Sequence, residues 1–328
     1  MKAIVINAYG GPEVLSLSDF PTPKPGPEEI LVEVAATALN RADILQRQGK
    51  YPPPPGVSPV PGLEIAGVVV SAGSAVTRWS TGDRVCGLLA GGGYAQYAVI
   101  HQDIAMPVPA TLGFEQAAAI PEVFLTAFQA LDWLAAIQPG ESVLIHAGGS
   151  GVGTAAIQIA REKGARIFAT ASLSKHPACL RLGAEKVIDY QSESFVSVIQ
   201  DVTGGSGVNV ILDFLAAPCF QQNINALATD GRLVMLALMG GPVAEKINLA
   251  PILTRRLKIM GSTLRNRSED YKIALNKAFS SFALPLFESG QLVPVIDTVF
   301  DWEDIQHAHI RMETNQNTGK IVLRVANL

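Results

Sequence analysis

The chain is 328 residues long, 48% hydrophobic and 16% charged, with a formal net charge of −4. These figures support a folded protein with room for two sizeable cores and exclude a disordered chain. They leave no basic field for nucleic acid or anionic lipid, and no apolar run is long enough to span a bilayer.

The three cysteines, Cys86, Cys179 and Cys219, form no C-x-x-C pair and no metal-ligand spacing. They read as small buried apolar residues rather than reactive thiols. The opening MKAIVINAYGGPEVL has no apolar core or cleavage site of a signal peptide. A cytoplasmic protein in a reducing compartment is expected.

The first third of the chain is β-rich. Ala3–Ile6, Leu15–Leu17, Ile30–Ala36, Ile65–Val70 and Tyr94–Ile100 fit short strands, with Glu33 at a solvent-facing position. PTPKPGPEE is a connector that cannot sit inside a sheet. Gly62, Gly67, Gly73, Gly82, Gly87 and the run Gly91–Gly93 punctuate the strands as turns. Many short strands with glycine turns predict a barrel-like antiparallel domain. Within it, Asn40–Gln48 fits a short helix, and Tyr51 opens a stiff loop of four prolines. Such loops on a rigid scaffold often carry binding residues.

The pattern then changes. Thr126–Ala136 has helical spacing, and from Val143 strands alternate with helices. Strands are expected at Val143–Ile145, Arg166–Thr170, Lys186–Ile188, Val208–Asp213 and Arg232–Leu236. Helices are expected at Thr154–Arg161, Lys175–Leu182, Phe195–Val202 and Phe220–Leu227. That alternation predicts a doubly wound parallel sheet, with Leu257–Met260 as an additional strand, either at its edge or in its interior. The tail returns to the earlier style. A helix is expected at Asp270–Ser281 and a strand at Val293–Phe300. A further helix follows at Trp302–Met312, N-capped by Asp301, and a last strand at Lys320–Val325. This tail is expected to rejoin the β domain.

The strand Val143–Ile145 runs into Gly148, Gly149, Gly151 and Gly153 and then into a helix. Strand, glycine turn and helix form a phosphate-binding unit. The glycines let a pyrophosphate approach the backbone, and the helix start offers unpaired N–H groups and the positive end of its dipole. The spacing departs from G-x-G-x-x-G, because Thr154 stands where the third glycine would fall. An ordinary tight turn is the alternative. No G-x-x-x-x-G-K-[ST] is present, which disfavours a mononucleotide loop.

A fold that selects NAD places a carboxylate about 20 residues beyond the glycines, on the ribose hydroxyls. Here the region reads Thr170-Ala171-Ser172-Leu173-Ser174-Lys175. Two serine hydroxyls and a lysine replace the anion, which favours NADPH over NADH. The alternative is that Lys175 only begins a solvated helix face. None of the five histidines pairs with a cysteine at ligand spacing, so no metal site is expected. His307 and His309, two apart on a helix, point to different faces, and His146 reads as a satisfied structural histidine. Ser150, flanked by glycines, falls short of a nucleophile elbow, and no HGGG oxyanion motif accompanies it.

Several segments in order resemble the zinc-free quinone oxidoreductases related to zeta-crystallin, within the medium-chain dehydrogenase/reductase superfamily. They are YGGPEVL, VAATALNRADILQRQGKY, PGLEIAG, GDRVCGLLAGGGYAQYAV, AAAIPEVFLTAF, VLIHAGGSGVGTAAIQIAR, LGAEKVIDY and NTGKIVL. The wording of NRADILQRQGKYPPPPG and HAGGSGVGTAAIQ is similar to the p53-inducible quinone oxidoreductase branch. Zinc-containing relatives have cysteine where Asn40 stands and histidine where Leu63 stands, and their cysteine-rich lobe is absent. Glu64 remains and is read as structural.

The resemblance implies a Rossmann doubly wound parallel sheet over 122–265. It implies a GroES-like β-barrel-type catalytic domain over 1–121 and 266–328. Gly148, Gly151, Val152 and Gly153 would hold the pyrophosphate, and Ser172, Lys175 and Tyr190 would line the 2′-phosphate pocket. The loop Ser172–Lys175 is one residue shorter than T-A-G-S-x-x-K in relatives. Thr126, Met239, Gly240 and Leu264 would touch the nicotinamide half, and Asn317 lies in a segment that also touches cofactor. Asn40 and Tyr51 would face the substrate, Tyr51 either as a proton donor or as a wall of the cleft.

The implied activity is NADPH-dependent reduction of a quinone without zinc, by one electron or two. The alternatives are an enoyl or alkenal reductase and a non-catalytic NADPH-binding structural protein. A homodimer or homotetramer joined through a sheet edge is also implied, with neither nucleic acid nor membrane as a partner.

Overall fold

The structure is a computed structural model that describes residues 1–328. The chain forms two units, one of Met1–Leu125 with Leu264–Leu328 and one of Thr126–Thr263.

In the first unit β1 (Lys2–Ile6) and β2 (Leu15–Asp19) form a hairpin, and Ala3 also bridges to Ala95. β3 (Glu29–Ala38) is the central strand. It leads into α1 (Arg41–Arg47), the proline loop, β4 (Glu64–Ala72), β5 (Arg84–Leu88), β6 (Tyr97–His101) and β7 (Ala105–Pro107). α2 (Phe114–Ala118) follows, and α3 (Pro121–Phe128) carries the chain from this unit into the second. The helix expected to begin at Thr126 begins instead at Pro121, whose fixed φ suits a first helical turn. It passes at Gln129–Leu134 into a π-helical turn that sequence periodicity does not signal.

In the second unit the strands are β8 (Ser142–Ile145), β9 (Arg166–Ala171), β10 (Lys186–Asp189), β11 (Val208–Asp213), β12 (Leu227–Met235) and β13 (Lys258–Gly261). The helices are α4 (Gly151–Glu162), α5 (His176–Leu182), α6 (Phe195–Val202), α7 (Phe220–Ala226) and α8 (Ala250–Thr254). Sheet order is β10-β9-β8-β11-β12-β13, all parallel, so β8 and β11 flank the point where strand order reverses. Ligands of doubly wound sheets bind there, beyond the carboxyl ends of the strands. β8 and β11 are buried throughout or nearly so, as strands covered on both faces must be. Leu144, Phe168, Ile188, Ile211 and Leu233 from five strands share one core with α6 and α7.

The chain then returns to the first unit. α9 (Glu269–Glu288) precedes β14 (Ile296–Asp301), α10 (Ile305–Glu313) and β15 (Lys320–Arg324). β15 pairs antiparallel with β3, so the tail rejoins the β domain as expected. The sheet order is β14-β15-β3-β4-β5-β7, with β6 also on β3. It departs from a purely antiparallel sheet, because β14 and β15 run parallel across the α10 connection. Asp301 is not a side-chain N-cap; its carboxylate accepts from Arg324 on the neighbouring strand. Ile305, Ala308 and Met312 of α10, with Trp302 just before it, share one core with Ile4, Leu39 and Tyr94. His309 is buried on that helix and His307 is exposed, as their spacing predicts. No helix is long and apolar enough to cross a membrane.

Candidate active site

The glycine turn between β8 and α4 is built by close contacts. A Cβ on Gly153 would stand 2.3 Å from the Ala147 carbonyl oxygen, and one on Gly148 would stand 2.8 Å from the Ala169 methyl. Only glycine fits at either place. Ser150 is the N-cap of α4. Its Oγ accepts from the Gly153 N–H at 3.0 Å, a structural role for a serine that the sequence placed beside a nucleophile motif. The N–H groups of Gly151 and Val152 at the start of α4 have no acceptor in the chain, so they can meet an anion.

Lys175 lies across this turn. A Cβ on Gly149 would fall 2.6 Å from Lys175 Cδ, so the absent side chain at Gly149 is the space through which the lysine stem runs. Asp189 pairs with Ala171 in the parallel register of β10 and β9. Ser172 and Tyr190, the next residues, therefore leave adjacent strand ends on the same side of the sheet. Tyr190 is exposed and Ser172 is half-buried. Thr126 is half-buried on α3. Met239 donates its N–H to the Phe214 carbonyl and Gly240 to the Leu215 carbonyl, which leaves only their own carbonyls for a ligand. Leu264 and Asn317 belong to the other unit. Leu264 is buried there, and the Asn317 amide donates to the Gly319 carbonyl.

Beneath the glycine turn runs a buried chain of polar groups that the motif reading missed. Asp213 accepts from the Leu215 and Ala216 N–H groups and from the Asn223 amide. A carboxylate only accepts, so the Asn223 oxygen faces His146 Nε2 at 2.7 Å, which must carry the proton. His146 Nδ1 then accepts from Thr170 at 3.0 Å. Burial lowers the His146 pKa, and the satisfied neutral ring matches its structural reading. Cys86 and Cys179 are buried and Cys219 is half-buried, and burial raises all three thiols, to about 12 for Cys86 and about 11 for the others.

In the first unit the residues centre on a buried ion pair. The Lys320 ammonium lies 2.7 Å from Glu64, and both side chains are almost wholly buried. The lysine donates to the Leu39 carbonyl at 2.6 Å and to Asn40 Oδ1 at 2.7 Å. Asn40 Nδ2 donates to Glu64 at 2.8 Å and to the Ala38 carbonyl at 3.3 Å. Lysine can only donate and glutamate only accept, which fixes the amide orientation and engages both Asn40 hydrogens. Where relatives with zinc carry a cysteine, this chain has an asparagine tied to an ammonium. No three His, Cys, Asp or Glu side chains converge to hold a metal. Glu64 also accepts from the Glu122 backbone N–H at 2.8 Å, consistent with its structural reading.

Tyr51 is half-buried over the Arg265 guanidinium, 5.1 Å from ring centre to Cζ. Arg265 donates to the Ala90 and Tyr51 carbonyls and to Gln46. Burial raises the Tyr51 phenol above its ordinary value, partly offset by Arg265. Lys320, Arg265 and Glu122 escaped the sequence reading. The one signal for Lys320 is a lysine opening the apolar run Ile321-Val322-Leu323.

Comparison with known proteins agrees with this architecture. Residues 26–110 match the alcohol dehydrogenase GroES-like domain, and residues 151–280 match the zinc-binding dehydrogenase family. The human quinone oxidoreductase is 32% identical over 98% of this chain and 97% of its own. The Escherichia coli quinone oxidoreductase, solved in complex with NADPH, is 30% identical with a TM-score of 0.88, covering 99% of this chain and 100% of that one. The CurK enoyl reductase is 30% identical with the same TM-score, covering 99% of each. The chain belongs to the medium-chain dehydrogenase/reductase superfamily, as a Rossmann unit joined to a GroES-like unit. It is an oxidoreductase that uses a nicotinamide cofactor.

Proposed function

We propose that this oxidoreductase is an NADPH-dependent quinone reductase that works without zinc. The observation that carries the cofactor choice is Lys175 lying over the glycine turn, with no carboxylate after β9 to repel a 2′-phosphate. NADPH supplies the hydride when bound. The Gly151 and Val152 N–H groups hold its pyrophosphate, with Gly148 and Gly153 giving room, and Lys175, Ser172 and Tyr190 hold its 2′-phosphate. Thr126 and the Met239 and Gly240 carbonyls orient the nicotinamide half. Tyr51 meets the acceptor oxygen through its hydroxyl. Asn40, with both amide hydrogens engaged, shapes the floor of that site rather than donating to substrate. The zinc-free reading rests on the donor set, since asparagine and leucine stand at the two ligand positions and Asn40 is tied to Lys320. The three unpaired thiols support a cytoplasmic setting.

Similarity to an enoyl reductase supports a second reading, reduction of an enoyl or alkenal carbon–carbon bond on the same scaffold. NADPH oxidation against ortho-quinones, para-quinones, alkenals and enoyl thioesters separates the readings. Turnover fastest with quinones is the expected result. Turnover only with enoyl substrates moves the assignment, and tight NADPH binding with no turnover on any acceptor makes the protein a binder rather than an enzyme.

A further inference from the structure

Glu122 stands at the second position of α3, half-buried, and its carboxyl has no hydrogen-bond or ion-pair partner anywhere in the chain. Every other carboxylate of this cluster is engaged. Glu64 is held by Lys320, Asn40 and the Glu122 N–H, and Asp43 by the Asn40 and Gly62 N–H groups and the Tyr94 hydroxyl. Six charged or titratable groups act on Glu122: Glu64 from β4, Asp43 from α1, Lys320 from β15, Lys272 from α9, and Arg265 and Tyr51 from loops. Lys320 is consumed by Glu64. Arg265 and Lys272 spend hydrogen bonds on carbonyls, and neither forms an ion pair with Glu122. The Glu64 carboxylate accepts from the Glu122 backbone N–H at 2.8 Å, which keeps a negative charge beside this residue.

We propose that the Glu122 carboxyl is the acid that protonates the reduced acceptor, a step that rests on the quinone-reductase reading. The hydride carries both electrons to the quinone. The Glu122 O–H bond then breaks, its proton forms an O–H bond on the reduced quinone, and water returns a proton to the carboxylate. On an enoyl substrate the same proton goes to the carbon beside the carbonyl. Burial, then the Glu64 charge, pushes the Glu122 pKa up to about 8, so the acid is loaded at neutral pH and close to the value that proton transfer favours. Tyr51, the other candidate acid, is raised above an ordinary value of 10.0 and holds its proton more tightly.

Glu122→Gln keeps the shape and the backbone bond to Glu64 while removing the acid. The test is single-turnover and steady-state NADPH oxidation with a para-quinone and an alkenal from pH 6 to 9. Fluorescence titration with NADPH shows that each variant is folded. Wild-type kcat should fall as pH rises through about 8. Glu122→Gln should lose about 10²-fold at pH 7 and show no such fall, and Glu122→Asp should restore part of both. A wild-type kcat level from pH 7 to 9, or a Glu122→Gln variant with wild-type kcat and profile, overturns the proposal while leaving the enzyme reading intact. A wild type that reduces no acceptor overturns both.

Discussion

Lys175 has its reach because Gly149 has no side chain. The Lys175 stem lies against the space a Cβ would fill, so the side chain runs along the glycine turn that leads into α4. A lysine on a solvated helix face would contribute little to one cofactor over the other. A lysine over the anion site should contribute one charge-assisted hydrogen bond, about 1.5–3 kcal/mol. Lys175→Ala is therefore expected to weaken NADPH roughly tenfold to a hundredfold and to leave NADH almost unchanged, as read by fluorescence titration. An unchanged ratio of the two affinities would remove the basis of the NADPH assignment. This residue was legible in the sequence because the missing carboxylate and the lysine sit a few positions apart. The state of Asn40 was not legible. Its orientation is set by Lys320, 280 residues away, and a contact at that separation leaves no local pattern.

Among the elements, those with a strong period were legible. Strand, glycine turn and α4 emerge where the apolar run and the 3.6 spacing meet, and the parallel strands of the Rossmann unit fall close to their expected places except β12, which already starts at Leu227 rather than Arg232. The misses have physical causes. β5 and β7 are short and interrupted by glycine and proline, so neither shows alternation. The π-helical turn after α3 is a matter of packing rather than composition. Asp301 carries a capping residue type, but Arg324 competes for its carboxylate, and tertiary pairing prevails over local preference. β13 lies at the edge rather than in the interior, with one side on β12 and no strand of the chain on the other. The segment leading to it exposes Val243, Leu249 and Leu253, the last at 81%. An open strand edge beside exposed apolar side chains favours pairing with a second copy. We expect a homodimer through this edge, or a homotetramer built from it. Sedimentation equilibrium should return two or four chains at micromolar concentration, and a monomer there would refute it.

At the scale of the whole molecule, buried titratable groups make stability depend on pH in opposite directions. Burial lowers the pKa of His309 from 6.5 to about 3. Its neutral form therefore contributes stability that is full above pH 6.5 and is lost as pH falls toward 3. Glu122 is raised from 4.5 to about 8, so its contribution is full below pH 4.5 and is lost as pH rises toward 8. Asp43, raised from 3.8 to about 6 by burial against its hydrogen bonds, acts in the same sense as Glu122 but is spent by pH 6. Between pH 4.5 and 6.5 the histidine and the glutamate have opposite slopes and nearly cancel. Between pH 6.5 and 8 Glu122 alone remains of the three. One proton gives at most about 1.4 kcal/mol per pH unit, or about 2 kcal/mol across that window. Since 1 kcal/mol moves the Tm of a unit this size by roughly 2–4 °C, calorimetry should show wild-type Tm several degrees lower at pH 8 than at pH 6.5. Glu122→Gln has nothing to ionise there, so its Tm should stay level over the same interval. A wild-type Tm that does not fall, or a Glu122→Gln variant that falls as steeply, would mean that the carboxyl is already charged at neutral pH and cannot serve as the acid. The stability measurement needs no substrate, so it tests the protonation state of Glu122 independently of any acceptor.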